Sequence, residues 1–211
     1  MWQDREQAAR ALVGALRAWQ GTRPVVLAIP RGAVPMGAVV ADALGGELDV
    51  VLVHKIGHPM QPELAIGAVD ERGHVLPSET ATMLGVPHAT LEALGRAEVA
   101  RLKQRRQLYG GAPANIKGRT VILVDDGIAT GATMLAAVGA ARSDGAKEVV
   151  VAAPVASQEA ATRLRRVADA VVILETPRQF MAVGQFYVDF RQVEDQEVRA
   201  LLASRRTVPV A

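Results

Sequence analysis

The chain has 211 residues and no cysteine; 50% of its residues are hydrophobic and 22% are charged. The lack of cysteine excludes disulfides, thiolate metal sites and a cysteine nucleophile, and it favours a reducing, cytoplasmic compartment. A net charge of +2 is too weak to indicate a nucleic-acid partner. No apolar run approaches the roughly 20 residues that a membrane helix needs, so we expect no membrane partner.

The first predicted element is an amphipathic helix, with Asp4 as N-cap, one apolar face from Ala8 to Trp19, and Gly21 at its end. Five apolar runs follow along the chain. They are rich in Val and Ile and do not alternate with polar residues, which is typical of strands buried on both faces. The runs are Val25 to Ile29, Val50 to Val53, Val121 to Val124, Val149 to Ala153 and Val171 to Leu174.

Helical patterns fill three of the four gaps between these runs, at Ala33 to Leu44, Ala132 to Ser143 and Ser157 to Val167. Strands alternating with helices predict an α/β fold with a Rossmann-like, doubly wound, five-stranded parallel sheet. The remaining gap, residues 54–120, is far longer than a crossover needs and predicts a small hood lobe. We assign 22–56 and 117–177 to the core, and 1–21, 57–116 and 178–211 to the hood and insertion segments.

The residues that follow the five runs are polar or rich in glycine. They are Pro30 to Gly32, His54 to Gly57, Asp125 to Gly127, Pro154 to Ala156 and Glu175 to Pro177. Ligands of open parallel sheets bind beyond the carboxyl ends of the strands. Cations, adjacent carboxylates and glycines at one edge therefore predict a site for a phosphorylated, hydroxyl-bearing ligand with magnesium.

The most informative motif is VILVDDGIATGATM, from Val121 to Met134. A buried strand ends in two carboxylates, and the mostly small residues after them let backbone N–H groups surround an anion at a helix N-terminus. The loop has no lysine, which excludes a Walker A site. A receiver domain would place its phosphoacceptor after a later strand, whereas Asp169 precedes one. A strand-to-helix turn with incidental acids is the structural alternative.

This motif resembles the phosphoribosyl pyrophosphate (PRPP) signature of the type I phosphoribosyltransferases: four apolar residues, two acids, and a small-residue loop with Thr-Gly. The likeness extends over residues 24–55 and 118–176 and is closest to stand-alone predicted phosphoribosyltransferases. It implies Mg²⁺-dependent transfer of the 5-phosphoribosyl group from PRPP to a nitrogen acceptor, with release of pyrophosphate, as in nucleotide salvage. PRPP and a nucleobase or amine would be the partners, and a homodimer is compatible with this interpretation.

The resemblance also implies roles for individual residues. Asp125 and Asp126 would be the catalytic and magnesium-binding acids that hold the ribose hydroxyls. The 5-phosphate would lie on Gly127, Ile128, Ala129, Thr130, Gly131, Ala132 and Thr133. We call residues 125–131 the acid loop.

Two further segments resemble the PRPP-binding parts of the family. Pro30-Arg31-Gly32, here named the diphosphate loop, is similar to a loop that often carries a non-proline cis peptide; Arg31 and Gly32 would bind the diphosphate. The stretch from Val53 to His58 is similar to the Val-Arg-Lys-Pro-Gly-Lys segment of adenine-type members. It would bring Lys55 to the PRPP phosphates, although His54 replaces the usual arginine.

Three features bear on the identity of the acceptor. Ala129 stands where 6-oxopurine members have an aspartate, and Ala-Thr-Gly resembles adenine and uracil members. Residues 58–63 lie where the family keeps a mobile loop that closes over the reaction. Glu63, the last of them, is a candidate for moving the acceptor's proton, with a solvated turn residue as the alternative. The tail segment, residues 180–190, is similar to the base-stacking segment of hypoxanthine-guanine enzymes. Its base-site candidates are Phe180, Phe186, Tyr187 and Asp189.

Two alternatives stay open at this stage. The tail segment is equally compatible with a hydrophobic patch that anchors the chain to the core. A regulatory protein of the same fold, which senses PRPP and binds RNA, would need no further domain; the presence of Arg31, Lys55 and the loop residues favours the enzyme.

Overall fold

The computed structural model describes residues 1–206, in which eight strands and seven α-helices are assigned. The strands are β1 (Val25–Ala28), β2 (Glu47–Val50), β3 (Val53–His58), β4 (Gln61–Asp70), β5 (Val75–Pro77), β6 (Thr120–Val124), β7 (Glu148–Val155) and β8 (Ala170–Glu175). The helices are α1 (Arg5–Ala15), α2 (Val34–Leu44), α3 (Glu79–Met83), α4 (His88–Tyr109), α5 (Ala132–Ser143), α6 (Gln158–Leu164) and α7 (Asp195–Arg206).

The centre of the fold is a five-stranded sheet in the order β2-β1-β6-β7-β8, and every neighbouring pair is parallel. Alternate residues of each inner strand enter two different cores. In β1, Val26 and Ala28 pack with residues of α1 and α2, whereas Val25 and Leu27 pack with residues of α5 and α6. Both faces are apolar for this reason, and the predicted doubly wound parallel sheet is confirmed.

A second, antiparallel sheet has the order β3-β4-β5. It packs against the long helix α4 and against α5 of the core. The predicted small lobe is therefore present. The segment 58–63, expected as a loop, forms the tip of the β3–β4 hairpin, where His58 pairs with Gln61.

One predicted strand is wrong in its position. The second strand of the parallel sheet is Glu47–Val50, and Val53 instead begins β3 of the small sheet. The cause is Asp49, which is 2% exposed within β2. Its carboxylate accepts hydrogen bonds from Arg106 Nη1 at 2.7 Å and from the Ala114 backbone N–H at 2.8 Å. A charged residue with such partners is stable in a core strand, but it breaks the apolar pattern that the sequence analysis uses.

The first helix is shorter than predicted. Asp4 is its N-cap, as expected, since the Asp4 carboxylate accepts from the Gln7 backbone N–H at 2.8 Å. The helix ends at Ala15, and a 3₁₀ turn covers Arg17–Trp19. Helix α1 packs on α2 and on strands β7 and β8. The division of the chain into core and hood segments stays a prediction, and residues 207–211 of the last hood segment lie outside the described part.

Candidate active site

The acid loop begins directly after Val124, the last residue of β6. Asp125 Oδ1 accepts from the Asp126 backbone N–H at 2.9 Å. Burial raises the pKa of the Asp125 carboxyl well above its usual range, and the neighbouring Asp126 charge adds to this rise. Two crowded carboxylates at the end of a buried strand favour a cation or a hydrogen-bond donor as ligand.

The rest of the acid loop is held by the next strand and helix. Ile128 N–H donates to the Val155 carbonyl at 2.9 Å, and Ser157 Oγ donates to the Ala129 carbonyl at 2.6 Å. Gly131 is the N-cap of α5 with φ of 78°, a left-handed conformation that favours glycine. Within residues 1–206, the backbone N–H groups of 127 and 129–131 donate to no protein acceptor. They are available to an anion at the helix N-terminus.

The side chains of Thr130 and Thr133 are exposed beside these N–H groups. Thr130 Oγ1 accepts weakly from the Ala132 N–H at 3.4 Å, and the Thr130 carbonyl accepts from Arg163 at 3.4 Å. The geometry of residues 127–133 is therefore that of an open anion cradle. Their assignment to the 5-phosphate stays a prediction.

The diphosphate loop lies directly against the acid loop. The Pro30–Arg31 peptide bond is cis, as the resemblance predicts. A Cβ atom on Gly32 would collide with the Asp126 carboxylate, so glycine is needed for the two loops to meet. The Arg31 guanidinium lies 3.7 Å from the Asp195 carboxylate and 3.8 Å from that of Glu194, which places it between the loop and the start of α7.

Arg5 is a site residue that the sequence analysis missed. Its Nε donates to Asp126 Oδ2 at 2.8 Å, and its Nη1 donates to the Arg191 carbonyl at 2.7 Å. The guanidinium carbon also lies 4.0 Å from the centre of the Phe190 ring. Nothing local marks Arg5, because its partner Asp126 is 121 residues away in the sequence. Only the folded structure shows that Arg5 and Asp126 are neighbours.

The tail segment lies along the N-terminus and under the acid loop. Val188 N–H donates to the Trp2 carbonyl at 2.9 Å, and the Tyr187 hydroxyl donates to the Asp126 carbonyl at 2.6 Å. Burial raises the pKa of Tyr187, and the charge of Asp126 adds to this effect, so the phenol stays a neutral donor. A Cβ atom on Gly127 would collide with Val183, so glycine is also needed beneath this segment.

The four base-site candidates occupy different surroundings. Tyr187 is buried and stacks on Phe190, with the two ring centres 5.0 Å apart. Phe180 and Phe186 are half-buried, and their ring centres lie 5.2 Å apart. Asp189 is exposed, and its carboxylate accepts from the Arg191 N–H at 3.1 Å. Their role in binding a base stays a prediction.

Lys55 and Glu63 lie on the β3–β4 hairpin of the small lobe. Both are exposed, and neither forms an ion pair with another side chain of residues 1–205. The neighbouring His54 lies 3.4 Å from Glu98 of α4. Among the side chains that the structure describes, no hydrogen bond or ion pair joins Lys55 or Glu63 to the acid loop, and their roles stay predictions.

An open cleft of about 410 Å³ lies where these loops converge. Its lining residues are Arg5, Arg31, Gly32, Asp126, Phe190, Gln192 and Val193. The cleft thus combines two guanidinium groups, one carboxylate and an aromatic ring. Such a lining suits an anionic ligand that also carries hydroxyl groups.

Two groups of residues can be tested as a magnesium site. Asp125 and Asp126 offer oxygen donors only, and their mutual repulsion would be relieved by a divalent cation, so they fit Mg²⁺. The second group, Asp70, His74 and Asp144, has ligand atoms within 4.8 Å of one another. Arg72 already pairs with Asp144 at 3.0 Å, and Asp70 Oδ1 accepts from two backbone N–H groups of its own turn. Asp70 and Asp144 therefore already have protein partners, and we assign this second group to stabilising the turn at residues 70–74 and not to binding a metal.

None of the helices in residues 1–206 combines the length and apolar character required to cross a bilayer.

Comparison with known proteins identifies the fold. A family profile described as "Phosphoribosyl transferase domain" matches residues 2–191. The crystal structure of TT1426 from Thermus thermophilus superposes with a TM-score of 0.88 at 44% identity, covering 97% of this chain and 98% of that one.

Two sequence relatives carry functional names. A Mycobacterium tuberculosis protein named "putative phosphoribosyl transferase" is 42% identical over 205 residues, covering 96% of this chain but 46% of that protein. The chain thus spans about half the length of this relative. An adenine phosphoribosyltransferase of Marinobacter nauticus is 40% identical over 96 residues, covering 42% of this chain and 53% of that protein. The profile covers nearly the whole fold and includes both loops of the cleft: the chain belongs to the phosphoribosyltransferase family.

Proposed function

We propose that the protein transfers the 5-phosphoribosyl group from PRPP to a nitrogen acceptor with release of pyrophosphate, and that the reaction depends on Mg²⁺. One observation carries this proposal. The acid loop and the diphosphate loop touch at Asp126 and Gly32, so hydroxyl acceptors and anion donors face the same cleft. PRPP carries both kinds of group, with its ribose hydroxyls beside its diphosphate.

Each part of the candidate active site is assigned to one part of PRPP. Asp125 and Asp126 accept hydrogen bonds from the ribose hydroxyls. The N–H groups of Gly127 and of residues 129–131, together with the Thr130 and Thr133 hydroxyls, hold the 5-phosphate at the N-terminus of α5. Arg31 and the backbone of Gly32 face the diphosphate, and Lys55 on the hairpin would join them when the hairpin approaches the cleft.

The reaction breaks the bond between the anomeric carbon and the diphosphate oxygen, and a nitrogen lone pair forms the new bond. The ribose gains positive charge as the bond breaks, and the Asp125 and Asp126 carboxylates stabilise that charge electrostatically. Arg31 stabilises the negative charge of the departing diphosphate. Mg²⁺, held by the two acids, would supply further charge neutralisation when bound. No covalent enzyme nucleophile is required.

We propose a nucleobase as the acceptor. Ala129 has no carboxylate to offer a 6-oxopurine, and one partial sequence relative is named an adenine phosphoribosyltransferase. Phe180 and Phe186 supply aromatic surface for stacking a base, whereas Tyr187 already supports the acid loop. Glu63 is the candidate group for accepting the proton from the acceptor nitrogen.

A panel experiment tests this proposal. The protein is incubated with Mg²⁺, PRPP and one base at a time from a set that includes adenine, hypoxanthine, guanine, uracil and orotate, and pyrophosphate release is measured. Release that depends on one base, and that stops when Mg²⁺ is chelated, is the expected result. No release with any acceptor, combined with saturable binding of RNA, would instead support the PRPP-sensing regulator.

A further inference from the structure

The Arg5 guanidinium is fixed on three sides by residues that are distant in the sequence. Nε donates to Asp126 at 2.8 Å, Nη1 donates to the Arg191 carbonyl at 2.7 Å, and the Phe190 ring covers the guanidinium carbon at 4.0 Å. The Arg5 side chain is 11% exposed and that of Asp126 is 14% exposed. A long side chain held in this way has lost its rotamer freedom before any ligand binds, which favours tight binding.

The third nitrogen, Nη2, has no such partner. Within residues 1–206 it donates no hydrogen bond to protein. It faces the diphosphate loop, because a Cβ atom placed on Gly32 would lie 3.2 Å from it. The absence of a side chain at Gly32 leaves this donor open to the cleft that both residues line.

The other two cations assigned to the diphosphate, Arg31 and Lys55, are less favourably placed than Arg5. The Arg31 guanidinium lies 3.8 Å from the Glu194 carboxylate and 3.7 Å from the Asp195 carboxylate, so these two acids partly neutralise its charge. Lys55 lies out on the exposed hairpin. Compared with these two cations, the Arg5 side chain is less exposed, is held by three contacts and already lies at the junction of the two loops.

We propose that Arg5 is a ligand-binding residue, whose Nη2 donates directly to an anionic oxygen of the diphosphate of PRPP. This inference rests on the proposed function and adds a residue to it. One guanidinium then bridges the two halves of the site, with Nε on the acid that holds the ribose and Nη2 on the leaving group. A charge-assisted hydrogen bond of this kind is among the strong ones in proteins.

The competing explanation is that Arg5 acts only by holding Asp126 in place. A double-mutant cycle separates the two, because a contact with the ligand survives the loss of Asp126 whereas positioning through Asp126 does not. The probe is inorganic pyrophosphate, titrated into the protein with Mg²⁺ in an isothermal titration calorimeter. PRPP is titrated in parallel, and circular dichroism verifies that each variant is folded.

The variants are Arg5→Gln and Arg5→Lys, each made alone and on the Asp126→Asn background. Lysine keeps the positive charge of Arg5 but cannot make its three contacts at once. Arg5→Lys therefore provides the test if Arg5→Gln does not fold. The matched control is Arg10→Gln, which removes the same charge from the same helix. The Arg10 side chain is 72% exposed and pairs with Glu6, so it does not face the cleft.

We expect Arg5→Gln and Arg5→Lys to weaken pyrophosphate binding by about tenfold or more, both with and without Asp126, while Arg10→Gln changes it by less than about twofold. A loss that vanishes on the Asp126→Asn background, or a loss no larger than that of Arg10→Gln, would overturn the assignment of Arg5 and leave the proposed function standing. A wild-type protein that binds neither pyrophosphate nor PRPP would overturn both.

Discussion

The two walls of the candidate active site differ in how the chain builds them. The acid loop is a contiguous run between β6 and α5, and its available hydrogen-bond donors are mainly backbone N–H groups. The opposite wall is assembled from Arg5 of α1, the diphosphate loop and the end of the tail segment, and its side chains supply the contacts. A contiguous loop can be recognised by its local pattern, whereas a composite wall has no pattern in any one stretch. We therefore expect substitutions in the two walls to have different effects.

The largest effect is expected in the acid loop. Replacing Asp125→Asn together with Asp126→Asn removes the carboxylates that stabilise the developing positive charge, so turnover should fall by about a hundredfold or more. Stability should change little, because the substitution also removes a repulsive carboxylate pair. Pyrophosphate release and urea unfolding measure the two properties.

The matched control for this variant is Asp42→Asn with Glu47→Gln, which changes the net charge equally at exposed ion pairs with Arg205 and Arg119. The control should retain its turnover. Normal turnover in the acid-loop variant would refute the assignment of the two acids.

The junction between the walls is tested by Gly32→Ala. The added methyl group would collide with the Asp126 carboxylate, so we expect a loss of about 1–3 kcal/mol in the free energy of unfolding and weaker PRPP binding. Gly14→Ala in α1 is the control, because no atom lies within 4 Å of the new methyl group. It should stabilise the protein by up to about 1 kcal/mol. Equal effects of the two substitutions would mean that the loops do not meet as described.

A smaller effect is expected from Tyr187→Phe in the composite wall. The substitution keeps the ring and its stacking on Phe190 but removes the hydroxyl that donates to the Asp126 carbonyl. The free energy of unfolding should fall by about 1 kcal/mol, measured by urea denaturation. An unchanged stability would show that the tail segment does not support the acid loop.

The smallest effect is expected away from both walls, at Asp169. Its half-exposed carboxylate pairs with Arg142 at 2.9 Å and accepts from the Val149 N–H at 2.7 Å, and these contacts lower its pKa, with the Arg142 hydrogen bond as the largest cause. The resulting stabilisation is present at neutral pH and is lost as the pH falls below the ordinary aspartate value, about 4, through the lowered one.

Asp169→Asn should therefore destabilise the protein at pH 7 by about 0.5 kcal/mol, the scale of exposed ion pairs. Urea unfolding at several pH values measures the gap between this variant and the wild type. The gap should close in acid; a gap that persists or widens there would contradict the assignment.

The sequence pattern predicted the parallel sheet and the position of the acid loop between a strand and a helix, because each depends on contiguous residues. It failed at β2, where the buried Asp49 is compensated by Arg106 from α4, a partner 57 residues away. It also gave the tail aromatics a base-binding role without showing that Tyr187 donates to Asp126. Arg5 was missed for the same reason. Long-range pairing of polar side chains has no local sequence signal, and it builds most of the composite wall.

The central claim is that the acid loop and the diphosphate loop together bind PRPP. Calorimetric titration of the wild-type protein with PRPP and Mg²⁺ tests it directly. Saturable binding of one PRPP per chain, lost in the Asp125→Asn and Asp126→Asn double variant but kept in the Asp42→Asn and Glu47→Gln control, is the predicted result. A wild-type protein that shows no saturable PRPP binding, or a double variant that binds PRPP as tightly as the wild type, would contradict it.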